Sequence, residues 1–332
     1  SVVFALPTSA ISADEGMEKL RSQFQYGEGP ETDGYTIDYR YFSPVKENDS
    51  TKYPLVVWIH GMGDGEYEGK QISMNNMPLW TSDEYQSRFS PAGGAFIFAP
   101  RSLEEDGLYW DDCLIYPLRA AIDAFISENK NNIDISRIYV GGYSMGGRMT
   151  YKMAVAYPEM FAAAFPICPA FCPSEEAFNK IADMPVWLTA GKMDVVVNYT
   201  AMVAPGWETL TKTTNMPQNC RFSALAVTAY ANGLPCISAH YSWYAVNHDM
   251  FSDKNGNYPY METVNANGEK VELTYPDGMI SWLSSFTSDY DGAGATDSGN
   301  EEAKGGAVAL SLKDIIIAYI RALIAGLRNL FK

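Results

Sequence analysis

The stretch Ile138-Tyr-Val-Gly-Gly-Tyr-Ser-Met-Gly-Gly147 runs from an apolar segment through a serine to a pair of glycines. It contains a G-x-S-x-G pattern over residues 142–146, placed after an expected strand and before a helix-forming segment. A serine on so sharp a turn adopts strained backbone angles, and small neighbours two residues away allow the turn to close. The helix that begins at Met145 directs its free N–H groups towards a developing oxyanion. The pattern therefore predicts Ser144 as the nucleophile of an acyl transfer.

A second glycine-rich segment, His60-Gly-Met-Gly63, directly follows the apolar run 55–59. In sheets that carry a nucleophile turn, the loop after the third strand contributes a backbone N–H group to the oxyanion hole, and glycine lets the backbone approach the substrate. We therefore expect the N–H groups of Met62 and Met145 to form the oxyanion hole. His60, a lone histidine after a strand, is expected to hold the loop and not to act as the base.

Asp194 lies just beyond the apolar run 185–190, at the carboxyl end of an expected strand. Because the carboxyl ends of parallel strands meet at one edge of a sheet, a carboxylate there can orient a base beside Ser144. Asp194 is therefore the predicted acid.

Two histidines can serve as the base in the chain order Ser, Asp, His: His240 and His248. If the run 221–227 is the last strand, the loop beyond it contains His240. If the segment 237–246 is a strand instead, His248 stands at its end. A helix over 199–212 would connect the acid to the strand at 221–227, and this order of elements favours His240, with His248 as the alternative.

Short apolar runs alternate with segments of helical periodicity along most of the chain. The apolar runs are 55–59, 95–99, 137–140, 163–167, 185–190 and 221–227, and the helical segments are 114–128, 145–157 and 199–212. Continuous apolar runs are typical of parallel strands covered on both faces. The alternating stretch 36–42 indicates an antiparallel edge hairpin. This order predicts an α/β fold with a mostly parallel, doubly wound sheet.

We expect one catalytic domain over residues 14–288, followed by a linker and a terminal helix. Residues 289–307 are rich in Gly, Ala, Ser, Asp and Glu, which is linker composition. Residues 308–332 predict a C-terminal amphipathic helix that docks on the domain, self-associates or lies on a membrane surface, since its basic residues interrupt it too often for a membrane span. The start of the chain, an apolar core running into small residues, resembles the end of a signal peptide over residues 1–13, so a secreted or cell-surface protein is expected.

Charge and cysteine content narrow the classes of function. The 332-residue chain carries a formal net charge of −16, from 40 acidic and 24 basic residues, which disfavours binding to nucleic acid. Its five cysteines form no C-x-x-C pair and its three histidines show no zinc-ligand spacing with them, so neither a metal nor a cofactor is expected. Disulfides Cys168–Cys172 and Cys220–Cys236, leaving Cys113 free, are one alternative, and five ordinary thiols are the other.

Several blocks of the sequence match one family of hydrolases. They are 55–63 with its His-Gly-Met-Gly, 96–100 with Trp110 shortly after, 133–147, 157–168, and 185–188 with Asp194. In these blocks the chain from about residue 36 to 286 resembles bacterial esterases of the predicted-peptidase or prolyl-oligopeptidase-like type, relatives of feruloyl and acetyl-xylan esterases. In that family the histidine commonly stands three residues before a tryptophan, a spacing that His240 and Trp243 share. The chain departs from the family before Asp194, where no histidine precedes the glycine, and in longer segments at 215–240 and 251–275.

The resemblance implies an α/β-hydrolase fold and a serine carboxylesterase that acts on a small-molecule or carbohydrate ester. The positions that match are Ser144, Asp194 and His240 as catalytic groups, with the N–H groups of Met62 and Met145 as oxyanion donors. The alternatives are a serine peptidase of prolyl-oligopeptidase-like type and a catalytically inactive binding module on the same scaffold. A separate propeller domain would favour a peptidase, and we expect none beside the catalytic domain, so the esterase is the favoured expectation.

Overall fold

The apolar runs lie side by side as strands in a computed structural model that describes residues 13–73, 77–226, 239–249, 251, 261–292 and 308–309. The strands are β1 (Gln25–Glu28), β2 (Asp38–Phe42), β3 (Tyr53–Ile59), β4 (Phe96–Pro100), β5 (Ile133–Tyr143), β6 (Ala163–Ile167), β7 (Phe171–Cys172), β8 (Trp187–Gly191), β9 (Arg221–Leu225), β10 (Met261–Asn265) and β11 (Val308–Ala309). Nine of them form one sheet in the order β1-β2-β4-β3-β5-β6-β8-β9-β10, and β7 and β11 form a separate antiparallel pair.

The centre of the sheet is parallel and both of its edges are antiparallel. Strands β4, β3, β5, β6, β8 and β9 pair in parallel, whereas β1 and β2 extend one edge and β10 the other in antiparallel register. This arrangement confirms the predicted mostly parallel α/β sheet and its antiparallel edge near residues 36–42. Since parallel strands all end at one edge, the loops that follow β3, β5 and β8 are brought together there.

Both faces of the sheet are buried, as the third strand illustrates. All seven residues of β3 are buried. Because successive side chains in a strand point to opposite faces, Leu55, Val57 and Ile59 join one hydrophobic cluster, while Val56 and Trp58 join the cluster on the other face. Burial on both sides is why these strands read as unbroken apolar runs in the sequence.

Helices cover the two faces. They are α1 (Ala13–Arg21), α2 (Lys70–Ser73), α3 (Asp83–Gln86), α4 (Ile115–Glu128), α5 (Met145–Ala156), α6 (Glu175–Lys180), α7 (Ala204–Thr213), α8 (Trp243–Asn247) and α9 (Met279–Leu283). In α4 the fully buried Leu118, Ile122 and Phe125 recur at spacings of four and three, so one apolar stripe faces the sheet. The predicted helices over 114–128 and 145–157 are confirmed to within a residue, and the predicted helix over 199–212 is a π-helical turn, Tyr199–Val203, followed by α7.

The alternative strand over residues 237–246 is wrong, and the two terminal segments and the linker lie mostly outside the described residues. The segment 237–246 does not provide a strand that ends before His248, because α8 begins at Trp243 within it. The 1–13 segment is described only at residue 13, the first residue of α1, and most of the 289–307 linker lies outside the described residues. Of the C-terminal helix predicted over 308–332, only Val308 and Ala309 are described, and these two residues form β11 against β7.

Cys168 and Cys172 do not form a disulfide. Both are free thiols, as are Cys113 and Cys220, while Cys236 lies outside the described residues. The sulfur of Cys168 faces His240 instead, whose backbone oxygen lies 3.4 Å away. Within the described ranges, no helix combines the length and apolarity that a membrane crossing requires.

Candidate active site

Ser144 lies on a strained turn between β5 and α5. Its backbone angles are φ 56° and ψ −116°, a conformation that non-glycine residues rarely adopt. The turn is held from both sides, since Ser144 N donates to Ile167 O at 2.9 Å and Ser144 O accepts from the N–H groups of Arg148 and Ala170, each at 3.0 Å. The hydroxyl is thereby fixed at the carboxyl edge of the parallel strands.

Close backbone approach explains the glycines on either side of Ser144. A Cβ atom added at Gly142 would lie 2.2 Å from the carbonyl oxygen of Ile59. At Gly146 it would lie 2.2 Å from the same oxygen and 2.3 Å from that of His60. The end of β3 therefore packs directly against the turn, and only hydrogen atoms fit between them.

Ser144, His240 and Asp194 form one continuous chain of hydrogen bonds. Ser144 Oγ lies 3.1 Å from Nε2 of His240, and Nδ1 of the same ring lies 2.7 Å from Asp194 Oδ2. The other carboxylate oxygen, Oδ1, accepts from the N–H groups of Val196 at 2.8 Å and Val197 at 3.0 Å. With Nδ1–H donating to the carboxylate, Nε2 has its lone pair directed at the serine hydroxyl.

The charge of Asp194 controls the protonation of His240. Burial of the ring is the largest single effect and lowers the pKa of His240, but Asp194 and Cys168 together outweigh it, and the pKa is raised well above its ordinary value. The side chain of Asp194 is 1% exposed, so little solvent screens the pair. The ring is therefore a strong proton acceptor held next to a hydroxyl.

His248 lies elsewhere. It follows α8, and its ring stacks on Tyr244 with centroids 5.2 Å apart. Tyr85 donates its hydroxyl to the carbonyl oxygen of His248 at 2.9 Å. Burial lowers the pKa of His248 to about 4, so its ring is neutral near pH 7. Of the two histidines that the sequence left open, the structure brings His240 to Ser144.

The loop over residues 60–65, hereafter the 60–65 loop, lies against this turn and is held by the segment that follows β4. Ser102 N donates to His60 Nε2 at 3.0 Å, and His60 Nδ1 lies 2.6 Å from Gly61 O. Trp110 Nε1 donates to His60 O at 3.1 Å. Burial lowers the pKa of His60 to about 4, which suits a neutral ring that donates at one nitrogen and accepts at the other. These contacts confirm that His60 holds the loop.

Two further carboxylates fix the 60–65 loop, and neither was predicted from the sequence. Gly63 N donates to both carboxylate oxygens of Glu104, at 2.8 and 3.0 Å. Asp64 accepts a hydrogen bond from the hydroxyl of Tyr143, the residue directly before Ser144. Met62, the expected oxyanion donor, lies on this loop between Gly61 and Gly63, and Met145, the other expected donor, is the first residue of α5.

A buried thiol completes the surroundings of the histidine. Ligand atoms of Cys168, Asp194 and His240 all lie within 4.8 Å of one another, the one such group with metal-ligand chemistry among the described residues. These donors suit a thiophilic divalent cation. A cation that took His240 Nδ1 and Asp194 Oδ2 as ligands would replace the hydrogen bond between them. The cluster is therefore better suited to holding His240 than to holding a metal.

Comparisons with known proteins agree with this architecture. A family model described as phospholipase/carboxylesterase matches residues 115–232. A thermostable esterase of known structure is 27% identical, with a TM-score of 0.57 and a match that covers 69% of this chain. The chain has the α/β-hydrolase fold. It spans 61% of the length of that esterase, so the activity of the whole relative does not transfer to this chain without further argument.

More distant structures match parts of the chain. Est1E from Butyrivibrio proteoclasticus is 18% identical, with a TM-score of 0.41 over 60% of this chain and 88% of its own. An acylaminoacyl peptidase in complex with a chloromethyl ketone is 17% identical, with a TM-score of 0.44 over 71% of this chain and 42% of its own. A comparison with curated proteins found no match to the sequence.

Proposed function

We propose that this hydrolase is a serine carboxylesterase in which Ser144, His240 and Asp194 act as nucleophile, base and acid. The observation that carries the proposal is the continuous chain of hydrogen bonds from Ser144 Oγ through both ring nitrogens of His240 to Asp194. A hydrogen bond between only two of these three side chains would be ordinary packing. The strained turn under Ser144 adds a reason to assign chemistry to it, since such strain concentrates at functional sites.

Acylation follows from this geometry. Ser144 Oγ attacks the ester carbonyl carbon while His240 Nε2 takes the hydroxyl proton, and the carbonyl π electrons move onto oxygen to give a tetrahedral oxyanion. Asp194 holds the ring with its proton on Nδ1 and stabilises the imidazolium. The oxyanion then re-forms the carbonyl, the bond to the alcohol oxygen breaks, and His240 transfers its proton to the leaving alkoxide.

Deacylation repeats these steps with water. His240 takes a proton from the attacking water, which adds to the acyl-enzyme carbonyl, and Ser144 Oγ leaves with the proton that His240 returns. The products are a carboxylic acid and the original serine. No step consumes a cofactor.

Two backbone donors suit the developing oxyanion. The N–H group of Met145 belongs to the first turn of α5, where helix geometry offers it no acceptor within the helix, and its amide is adjacent to the nucleophile. The N–H group of Met62 lies on the 60–65 loop, which packs against the same turn. Removing one such donor typically lowers kcat by about a hundredfold to a thousandfold.

The proposal is tested by turnover of p-nitrophenyl acetate. Ser144→Ala and His240→Ala are expected to lose hydrolysis, whereas His248→Ala retains it because its ring stacks on Tyr244 away from the serine. Loss of activity in the His248 variant together with retention in the His240 variant would assign the base to His248. Unchanged turnover by Ser144→Ala would refute the mechanism.

A panel of esters tests the substrate class. We propose a small-molecule or carbohydrate ester as substrate, so the panel includes methyl ferulate, acetylated xylan and esters of increasing acyl length. Matched amides test the peptidase alternative, which predicts comparable kcat/KM on amides and esters. A fluorophosphonate probe tests the inactive-module alternative, because a scaffold without an activated serine does not label and a serine hydrolase labels at Ser144.

A further inference from the structure

Three residues of the 60–65 loop form hydrogen bonds to one neighbouring segment of the chain. His60 accepts from Ser102 N, Gly63 donates to Glu104, and Gly65 O accepts from Arg101 Nη1 at 3.2 Å. All three partners come from residues 101–104, the segment directly after β4. This neighbouring segment therefore contacts the loop at three places along its length.

Glu104 contacts the peptide unit that follows the expected oxyanion donor. Its two carboxylate oxygens accept from Gly63 N, and the peptide unit that contains this N–H group also contains the carbonyl of Met62. Gly63 has φ 92°, a conformation that favours glycine and has few local restraints. A bond to Gly63 N therefore fixes the orientation of the backbone on the carboxyl side of Met62.

The use of a carboxylate here costs stability. Glu104 is 9% exposed, and burial raises the pKa of its carboxyl group, although the N–H groups of Gly63 and Gly65 oppose this effect. A buried ionisable group in this position is costly, since an uncharged acceptor could also bind these N–H groups. Charge-assisted hydrogen bonds are shorter and stronger than neutral ones, which suits a rigid hold.

Glu104 also directs Gly63 N away from the substrate. Because its carboxylate occupies that N–H group, Gly63 N is not available to an oxyanion, and the N–H group of Met62 is the expected donor on this loop. Tyr143 and Asp64 hold the same turn from the other side, through the bond from the tyrosine hydroxyl to the carboxylate. The Met62 amide is thus restrained between Glu104 and the serine turn.

We propose that Glu104 is a positioning residue of the oxyanion hole: through Gly63 N it holds the 60–65 loop so that the Met62 N–H group points at the substrate carbonyl. This inference rests on the proposed function for its effect on rate. The loop-holding contact itself can be tested without turnover.

Rate measurements compare three variants of the full chain on p-nitrophenyl acetate. Glu104→Ala removes the acceptor, so kcat is expected to fall by about tenfold to a hundredfold with KM changed less than about threefold, because the lost interaction acts on the oxyanion and not on the ester. Glu104→Gln keeps an acceptor oxygen and is expected to stay within about fivefold of wild type. Asp106→Asn is the matched control, since that residue is an exposed acidic neighbour on the same turn.

A transition-state analogue separates positioning from general damage. A trifluoromethyl ketone forms an oxyanion with Ser144, so its inhibition constant is expected to rise in Glu104→Ala by the same factor as kcat falls, while thermal unfolding stays cooperative. Wild-type kcat in Glu104→Ala would overturn the proposal, as would a loss of the same size in Asp106→Asn.

Hydrogen–deuterium exchange provides a readout that does not depend on ester hydrolysis. The amides of residues 60–65 are expected to be protected in wild type and in Glu104→Gln and to exchange at least tenfold faster in Glu104→Ala. Equal protection in all variants would refute the contact. If protection changes as expected and the wild-type protein hydrolyses no ester, the proposed function fails while the role of Glu104 in holding the loop stands.

Discussion

Asp194 Oδ2 lies 2.7 Å from His240 Nδ1, on the side of the ring away from Ser144, while Oδ1 of the same carboxylate accepts two backbone N–H groups. The two oxygens therefore have separate tasks. One orients the imidazole and stabilises its charge, and the other anchors the loop that carries the acid. A single substitution can change the first task and preserve the second.

Asp194→Asn is expected to abolish most activity and leave the fold intact. Its Oδ1 can still accept from Val196 and Val197, but the amide group then faces His240 Nδ1 and favours the tautomer with the proton on Nε2, which cannot accept from Ser144. We expect kcat on p-nitrophenyl acetate to fall about ten-thousand-fold. Asp183→Asn, an exposed aspartate bonded to Asn215, is the control, and near-normal kcat in the Asp194 variant would contradict the role of the acid.

The raised pKa of His240 sets the acid limb of the pH–rate profile. A protonated ring cannot take the serine proton, so kcat/KM is expected to be constant above the pKa of His240 and to fall tenfold for each pH unit below it. Because Asp194 raises this pKa, the residual activity of Asp194→Asn is expected to decline at a lower pH than that of wild type. An acid limb at the same pH in both proteins would show that another group titrates there.

Whether a feature can be predicted from the sequence depends on how far apart its contacting residues lie along the chain. The nucleophile turn and the His60-Gly-Met-Gly63 loop are local patterns, and their strands and helix lie where the apolar periodicity placed them. The grouping of Ser144, Asp194 and His240 followed from the rule that parallel strands end at one edge. The choice between His240 and His248 needed the structure, because it depended on whether the segment before Trp243 is a strand.

The contacts of Glu104 and Tyr143 with the 60–65 loop could not be predicted from sequence patterns. Glu104 meets Gly63 across 41 residues, and Tyr143 meets Asp64 across 79, so no periodicity relates either pair. The acidic run 104–106 reads as a solvated turn, yet its first residue is buried while Glu105 is exposed. Only the packing of the chain distinguishes these neighbours. Similarly, a π-helical turn at Tyr199–Val203 has no sequence pattern of its own.

Gly146→Ala is expected to destabilise the protein strongly. The added methyl group would lie 2.2 Å from Ile59 O and 2.3 Å from His60 O, both backbone atoms that cannot move without displacing β3. We expect the free energy of unfolding to fall by about 3 kcal/mol or more, measured by urea denaturation. Gly206→Ala in α7 is the matched control, because its Cβ meets only Cys172 Sγ at 3.6 Å, and it is expected to gain up to about 1 kcal/mol.

Acid is expected to destabilise the fold through His60. Its pKa is about 4 in the folded chain, below its ordinary value of 6.5, so the unfolded chain binds the proton first as the pH falls. The contribution of the neutral ring to the free energy of unfolding is fully present above pH 6.5 and is lost progressively towards pH 4. About 2 kcal/mol of it is lost by pH 5. His60→Gln keeps a donor and an acceptor but has no proton to gain. Urea unfolding at pH 7.5 and pH 5.0 should therefore show about 2 kcal/mol more acid destabilisation in wild type than in the variant, and equal losses in both would exclude His60 as the titrating group.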